Sequence, residues 1–241
     1  MSVDADAYLQ RIGLDARPPA TLDGLAELTL AHLYTVPFEN LDIPAGRPIE
    51  LELPLIFDKV VARRRGGFCY ELNGLYGWLL HELGFDRTIL AARSTNKDEL
   101  GIPFDHLLLR VDLDEPVLVD VGWGETYRAP LPLREGTEGD YRLEQRGDGA
   151  WDLFERGSPQ YRFDLVPREL AEFGEACRWQ QTESPYFTGH RTCTLATPEG
   201  RRTLYDSRLI VTSNGSRSIR DVPDEERAAV LRDLFGLLEP A

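Results

Sequence analysis

Apolar positions in the first third of this chain recur at helical spacing. Leu22, Leu25, Leu28 and Leu33 follow Thr21, a residue type favoured at helix N-caps, and Pro37 then bends the chain into Phe38-Glu39-Asn40-Leu41. A second helix is expected from Ile56 to Arg64, stopped by Gly66-Gly67, and a further turn around Tyr8-Leu9-Ile12. The clearest pattern follows. Leu72, Leu75, Tyr76, Leu79, Leu80 and Leu83 form one apolar stripe of period 3.6, and Gly84 closes it as a C-terminal cap.

Beyond Gly84 the period shortens. Thr88–Ala91, Leu107–Val111 and Val117–Val121 are strand-like runs separated by turn residues, and similar runs lie near Tyr141–Leu143, Trp151–Phe154 and Tyr161–Leu165. Short strands at this spacing predict an antiparallel barrel or sandwich. The polar stretch Arg134 to Asp140 reads as a surface loop. Pro167 is expected to open a helix running through Glu172 and Ala176. Strands near Thr192–Leu195, Thr203–Tyr205 and Leu209–Thr212 then precede a last helix whose apolar face is Val230, Leu231, Leu234 and Phe235.

The chemistry concentrates at Arg65-Gly66-Gly67-Phe68-Cys69-Tyr70-Glu71-Leu72-Asn73. Cys69 lies three residues before Leu72 on the same register, so it faces the core side. A buried cysteine is ordinarily a small hydrophobe. Here the positive end of the helix favours a thiolate, and two glycines allow close approach to the sulfur.

Partners for that sulfur come from the strand region. If Leu107–Val111 and Val117–Val121 form a hairpin centred on Leu113, His106 and Asp120 are equidistant from the centre and face each other. A one-residue slip would separate them onto opposite faces. Singly, a histidine at a strand start and an aspartate between two valines are more often structural or solvent-facing. Together with Cys69 they supply the nucleophile, base and orienting carboxylate of a thiol triad.

Charge and cysteine usage narrow the class. Lysine and arginine total 27 against 41 aspartates and glutamates, a net charge of −14 that argues against non-specific nucleic-acid binding and anionic membranes. Cys69, Cys177 and Cys193 cannot all pair within one chain. No Cys-x-x-Cys or His-x-x-x-His metal spacing involves them or the histidines His32, His81, His106 and His190. Reduced thiols in a cytoplasmic protein are expected. The acidic start Met1-Ser2-Val3-Asp4-Ala5-Asp6 does not read as a signal peptide, and no apolar run reaches membrane-spanning length.

At this point the chain resembles the arylamine N-acetyltransferases. The resemblance rests on His32-x4-Pro37-Phe38-Glu39-Asn40-Leu41, on the Arg65–Asn73 block, on His106-Leu107-Leu108-Leu109 and on Val119-Asp120-Val121-Gly122-Trp123-Gly124. Ser184-Pro185-Tyr186-Phe187 and Thr197-Pro198-Glu199-Gly200 follow in family order. The resemblance implies an α+β fold in three parts: a helical bundle over 1–84 with the nucleophile, an antiparallel β-barrel over 85–166 with His and Asp, and a connecting helix plus α/β lid over 167–241. It implies Cys69, His106 and Asp120 as catalytic residues, Phe38 at the acceptor pocket and Phe187 near the acyl donor. It also implies acetyl-CoA as co-substrate, no metal, and a small arylamine or hydrazine as acceptor.

Two departures stand out. Trp123 and Glu125 replace the phenylalanine and last glycine of the family's usual Asp-Val-Gly-Phe-Gly-Gly. The chain is also short for the family, with a tight Ser184–Phe187 segment, which leaves donor-binding residues unassigned. The expected activity is ping-pong acetyl transfer through acetyl-Cys69. Its rivals are a related acyltransferase or amide synthase with another donor, a thioester or amide hydrolase, and an inactive binding module. Separately, Glu39 and Arg65 are expected to pair and fix the loop before Cys69.

Overall fold

The computed structural model describes residues 3–96, 99–125 and 127–237. Its N-terminal part holds α1 (Ala5–Arg11), α2 (Leu22–Thr35), a two-residue strand β1 (Phe38–Glu39), α3 (Leu53–Phe57) and α4 (Cys69–Glu82). Thr21 Oγ1 accepts the Gly24 N–H at 3.3 Å, the cap expected of it. Gly84, at φ +85°, ends the stripe that forms α4.

The helix expected over 56–64 starts earlier and ends differently. Pro54 occupies the first turn of α3, which runs on into a π-helical turn, Asp58–Ala62. The wider turn is braced by Arg11, whose Nε donates to Val60 O at 3.1 Å and whose Nη1 donates to Thr35 O at 3.0 Å. A buried arginine thus caps two helix ends whose carbonyls would otherwise lack partners.

The middle of the chain forms β2 (Asp86–Asn96), β3 (Glu99–Leu100), β4 (His106–Asp112), β5 (Val117–Val119), β6 (Leu131–Pro132), β7 (Gly136–Glu138), β8 (Tyr141–Gln145), β9 (Trp151–Glu155) and β10 (Ser158–Phe163). They pair antiparallel in the order β6-β5-β4-β2-β10-β9-β8-β7, with β3 added to β2, and curl into a nearly closed barrel. Strand β7 lies inside the stretch expected to be a loop. All three of its residues are exposed, so no apolar alternation marks it.

After the barrel, the helix expected to open at Pro167 begins later. Arg168 N–H instead donates to Ile89 O at 2.9 Å, keeping the segment extended against β2. A 3₁₀ turn, Leu170–Phe173, then leads into α5 (Gly174–Thr182), followed by α6 (Pro185–Gly189). The C-terminal part contains β11 (Thr192–Thr197), β12 (Gly200–Tyr205), β13 (Arg208–Ser213), β14 (Ser216–Asp221) and α7 (Asp224–Phe235). Its sheet runs β1-β11-β12-β13-β14, so a strand from the N-terminal part completes it.

Strand β4 is buried on both faces. Leu107, Leu109 and Val111 pack with α4, whereas Leu108 joins Leu90, Leu118, Leu153 and Phe163 in the barrel interior. Counting by twos, His106 shares the interior face with Leu108. That alternation decides what His106 meets. Among the described residues no helix is long and apolar enough to cross a membrane.

His32, part of the first sequence block, is a core residue. It is fully buried, its Nδ1 lies 2.9 Å from the Tyr8 hydroxyl, and among the described residues its Nε2 has no hydrogen-bond partner. Burial, reinforced by Arg11, lowers its pKa to about 3. The unfolded chain therefore binds the extra proton first, and stability falls as pH drops below the unfolded value of about 6.5. Between pH 7 and 5 His32 alone should cost about 2 kcal/mol. Urea unfolding at the two pH values should show that loss in the wild type and a correspondingly smaller one in His32→Gln. Equal losses would remove His32 as the cause.

Candidate active site

Cys69 is the first residue of α4 and is 5% exposed. Its surroundings are tight. A Cβ on Gly122 would sit 2.7 Å from Cys69 Cα and 3.0 Å from its carbonyl oxygen, so the chain after β5 lies directly on the start of α4. Only glycine permits that approach. Gly66 serves the same purpose upstream, where a Cβ would collide with Pro37 O at 2.0 Å. The two glycines before Cys69 thus make room for protein backbone and for Glu71, not for a ligand.

The helix end does not by itself ionise the sulfur. Burial pushes the Cys69 thiol well above its ordinary range, and the Asp120 and Asp105 carboxylates push the same way, opposed by the Leu107 N–H. A helix terminus contributes ~0.3–1 kcal/mol, which full desolvation of a thiolate exceeds. The helix end favours a thiolate, as expected, but burial outweighs it. Deprotonation requires a base that takes the proton and remains as the counter-charge.

His106 Nε2–H donates to Asp120 Oδ2 at 2.8 Å, with both side chains essentially buried. The pairing differs from the expected one in register. Val111 opposes Val117 and Leu109 opposes Val119, so the hairpin is centred on Asp114 rather than Leu113. Continued outward, Leu108 faces Asp120 and His106 faces Gly122. His106 and Asp120 are therefore diagonal neighbours, still on one face because moving the centre by a whole residue shifts each partner by an even step. Diagonal partners are within reach of long or planar side chains.

Asp120 is anchored on its other oxygen. Oδ1 accepts Asn73 Nδ2–H at 2.8 Å and the Gly122 N–H at 2.9 Å. Asn73 also donates to Leu107 O at 2.6 Å and accepts Val121 N–H at 2.9 Å. It stands one turn after Cys69 on α4, so a single amide ties the sulfur's helix to the start of β4, which carries the imidazole, and to the segment just past β5, where Asp120 lies because the strand expected over Val117–Val121 ends at Val119. Its position four residues from Cys69 was the available sequence signal. Tyr161 packs 5.1 Å from the His106 ring, and its hydroxyl, desolvated and beside Tyr127 and Asp120, is held protonated.

The loop before Cys69 is fixed by buried charges. Arg65 donates to Glu39 Oε1 through Nη2 at 2.6 Å and Nε at 3.0 Å, as the sequence led us to expect, and also reaches Asp42. Lys59 Nζ joins Asp42 at 2.8 Å to Glu71 at 2.9 Å, and Glu71 Oε2 accepts the Phe68 N–H at the helix start. Breaking one buried partner of such a network costs about 3–5 kcal/mol.

A cavity of about 600 Å³ opens onto Cys69 and His106. Phe38 and Phe187 both line it, with ring centroids 6.5 Å apart, and Phe187 also stacks edge-on against Phe68 at 5.8 Å. Trp123 lines it too, packing 4.7 Å from the His106 ring with its Nε1–H on Gln160. Glu125 stands at its edge, 78% exposed and 3.8 Å from Arg201 Nε. Among the described residues no group of three or more His, Cys, Asp or Glu side chains is placed to hold a metal ion.

A thiol, a carboxylate-held imidazole and an aromatic-walled cavity form an arrangement suited to acyl transfer. A family model described as N-acetyltransferase matches residues 21–239 of the chain. The arylamine N-acetyltransferase of Mycolicibacterium smegmatis is 36% identical over 234 residues, spanning 90% of this chain and 85% of its own. The chain belongs to the arylamine N-acetyltransferase family. Human arylamine N-acetyltransferase 1 is similar at 32% identity, covering 98% of this chain and 94% of its own. Among solved arylamine N-acetyltransferases, that of Salmonella typhimurium superposes with a TM-score of 0.91 at 32% identity, over 98% and 92% of the two chains. The Mycobacterium marinum enzyme in complex with CoA gives 0.87 at 34% identity, over 97% and 93%. As a member of this family the protein is an acyltransferase, and its helices, barrel and C-terminal sheet follow the family fold.

Proposed function

We propose that this acyltransferase moves an acetyl group from acetyl-CoA to the nitrogen of arylamines and arylhydrazines through an acetyl-Cys69 intermediate. One observation carries the reading: Cys69 and the Asp120-bound His106 line one cavity whose wall is aromatic at Phe38 and Phe187. Its volume falls in the range of small-molecule sites and suits a thioester arm and an aryl ring in turn. The CoA complex of the M. marinum relative supports the donor. In this reading the helical part over 1–84 supplies the sulfur, the barrel over 85–166 the imidazole and carboxylate, and the part over 167–241 covers the donor side.

With Nε2 committed to Asp120, His106 Nδ1 takes the Cys69 proton as the sulfur attacks the thioester carbonyl. The oxyanion so formed collapses, the carbonyl–sulfur bond to CoA breaks, and the departing thiolate recovers the proton from His106. An amine then attacks acetyl-Cys69. The new C–N bond forms, the bond to Cys69 breaks, and His106 relays the amine proton to the released sulfur. Asp120 keeps the imidazole in the tautomer this requires and stabilises its cation. Phe38 packs the acceptor ring, and Phe187 sits by the donor.

The test separates transfer from hydrolysis. Mixed with acetyl-CoA alone, the protein should release one equivalent of CoA in a burst, gain the mass of one acetyl group on Cys69, and stall until an arylamine is added. Continuous CoA release without amine would replace this reading with a hydrolase. Absence of any adduct would remove it.

A further inference from the structure

Away from the cavity, the C-terminal sheet ends in an open edge. Strand β14 closes the order β1-β11-β12-β13-β14, and all six of its residues are exposed. Ile219, near its middle, is at 55% the most exposed large apolar residue among those described. The strand follows the two-residue turn Asn214-Gly215, whose φ values are +50° and +78°. In such a hairpin the flanking pair, here Ser213 and Ser216, exchanges main-chain hydrogen bonds. By alternation Ser216, Ser218 and Arg220 bond inward to β13, and Val222 N–H continues the series by donating to Ser207 O at 2.6 Å. Arg217, Ile219 and Asp221 therefore turn their N–H and C=O groups to the open side.

Charged side chains on an edge strand ordinarily block pairing. Here Arg217 and Asp221 carry opposite signs and stand on one face, each two residues from Ile219. The geometry points to this edge as a docking surface for a second copy of the chain, paired antiparallel through β14 with Ile219 on the two-fold axis. In that register the two Ile219 side chains meet, and each Arg217 faces Asp221 of the other copy. The outward N–H and C=O groups of all three residues find partners. Asp221 O also accepts Arg220 Nη1 at 3.2 Å, which leaves its second lone pair for the pairing. Moving the axis to Ser218 sets Arg217 against Ile219. Moving it to Arg220 sets Arg217 against Pro223, which has no N–H to give. Arg220, on the other face, is held by Glu226 at 2.9 Å. Successive register pairs put Ile219 on the sheet face of Phe38, Thr194 and Thr203, all of which line the Cys69 cavity. The joined sheet thus carries both cavities on one side. A six-residue edge is a small contact, so the association is reversible and rises with concentration.

Sedimentation velocity over a concentration series tests it. The wild type should shift from the mass of one chain to that of two as concentration rises. Arg217→Glu sets acidic residues against each other across the axis, and Asp221→Arg sets basic ones. Each variant alone should therefore stay single at concentrations where the wild type is paired. Mixing the two should restore pairing, because one edge is then wholly acidic and the other wholly basic. A misfolded variant could not give that rescue. Ile219→Cys, on the axis, should form an interchain disulfide under mild oxidation, whereas the wild type, whose Cys69, Cys177 and Cys193 are buried, should form none. A wild type of single-chain mass at every concentration would overturn the proposal, and is the result expected if the edge takes an extended peptide of another protein instead. Dimers that persist in both single variants, or a mixture that stays single-chain, would overturn it as well.

Discussion

Cys69→Ala is expected to fold normally, form no acetyl adduct and acetylate no amine above the uncatalysed background. The structural cost is small, because Gly122 packs on the Cα and carbonyl of Cys69 rather than on its sulfur. Loss of one buried sulfur should cost no more than ~1–2 kcal/mol. The chemical cost is the whole covalent route. Two other free thiols make the experiment discriminating. Cys177 borders a separate cavity beside Ile49 and Gln181, and burial pushes its pKa up to about 12. Cys193 is buried in the C-terminal sheet and is also pushed up by burial. Intact mass after incubation with acetyl-CoA, followed by peptide mapping, should give one acetyl group in the wild type and none in the variant. An adduct that persists in Cys69→Ala, on Cys177 for instance, would move the nucleophile elsewhere.

Asp120→Asn should slow acetylation of Cys69 by roughly 10³–10⁴-fold, by analogy with the same change in serine-protease triads. The geometry explains why an isosteric change is so costly. Oδ1 receives two N–H groups, from Asn73 and Gly122, so the oxygen of the substituted amide must occupy that position. Its NH₂ then points at His106 Nε2 and forces that nitrogen to accept. The ring proton moves to Nδ1, and the nitrogen needed to take the thiol proton is already protonated. Flipping the amide instead would set its NH₂ against two donors, leaving buried groups unsatisfied at ~1–3 kcal/mol each. Single-turnover acetylation followed by stopped flow, with the thermal midpoint measured in parallel, checks the claim. A loss under tenfold with an unchanged midpoint would mean that Asp120 neither sets the tautomer nor stabilises the cation.

Much of this site could be read from the chain because its parts lie in segments of strong periodicity. The α4 stripe and Gly84 located the sulfur at a helix start, and a leucine-rich and a valine-rich run located the hairpin. The hairpin centre was missed by one residue, since nothing in Asp112-Leu113-Asp114-Glu115-Pro116 distinguishes a turn centred on 113 from one centred on 114. Both choices keep His106 and Asp120 on one face, which is why the side chains still meet. Strands β7 and β14 escaped because every side chain in them is exposed and hydrophobic alternation has nothing to act on. The late start of α5 depended on a tertiary bond, Arg168 to Ile89, that local sequence does not encode. Asn73 went unassigned for the same reason: its spacing from Cys69 puts it on the right helix face, but its partners Leu107, Asp120 and Val121 are distant in sequence.

The short strand β1 carries a consequence for biosynthesis. Phe38 and Glu39 pair with Thr194 and Cys193, and Asn40 binds the backbone of Thr192, Phe187 and His190. A nascent chain leaves the ribosome N-terminus first, so the cavity wall at Phe38 stays unfinished until the segment around residue 194 has emerged. By then the cysteine, the histidine and the aspartate have all been translated.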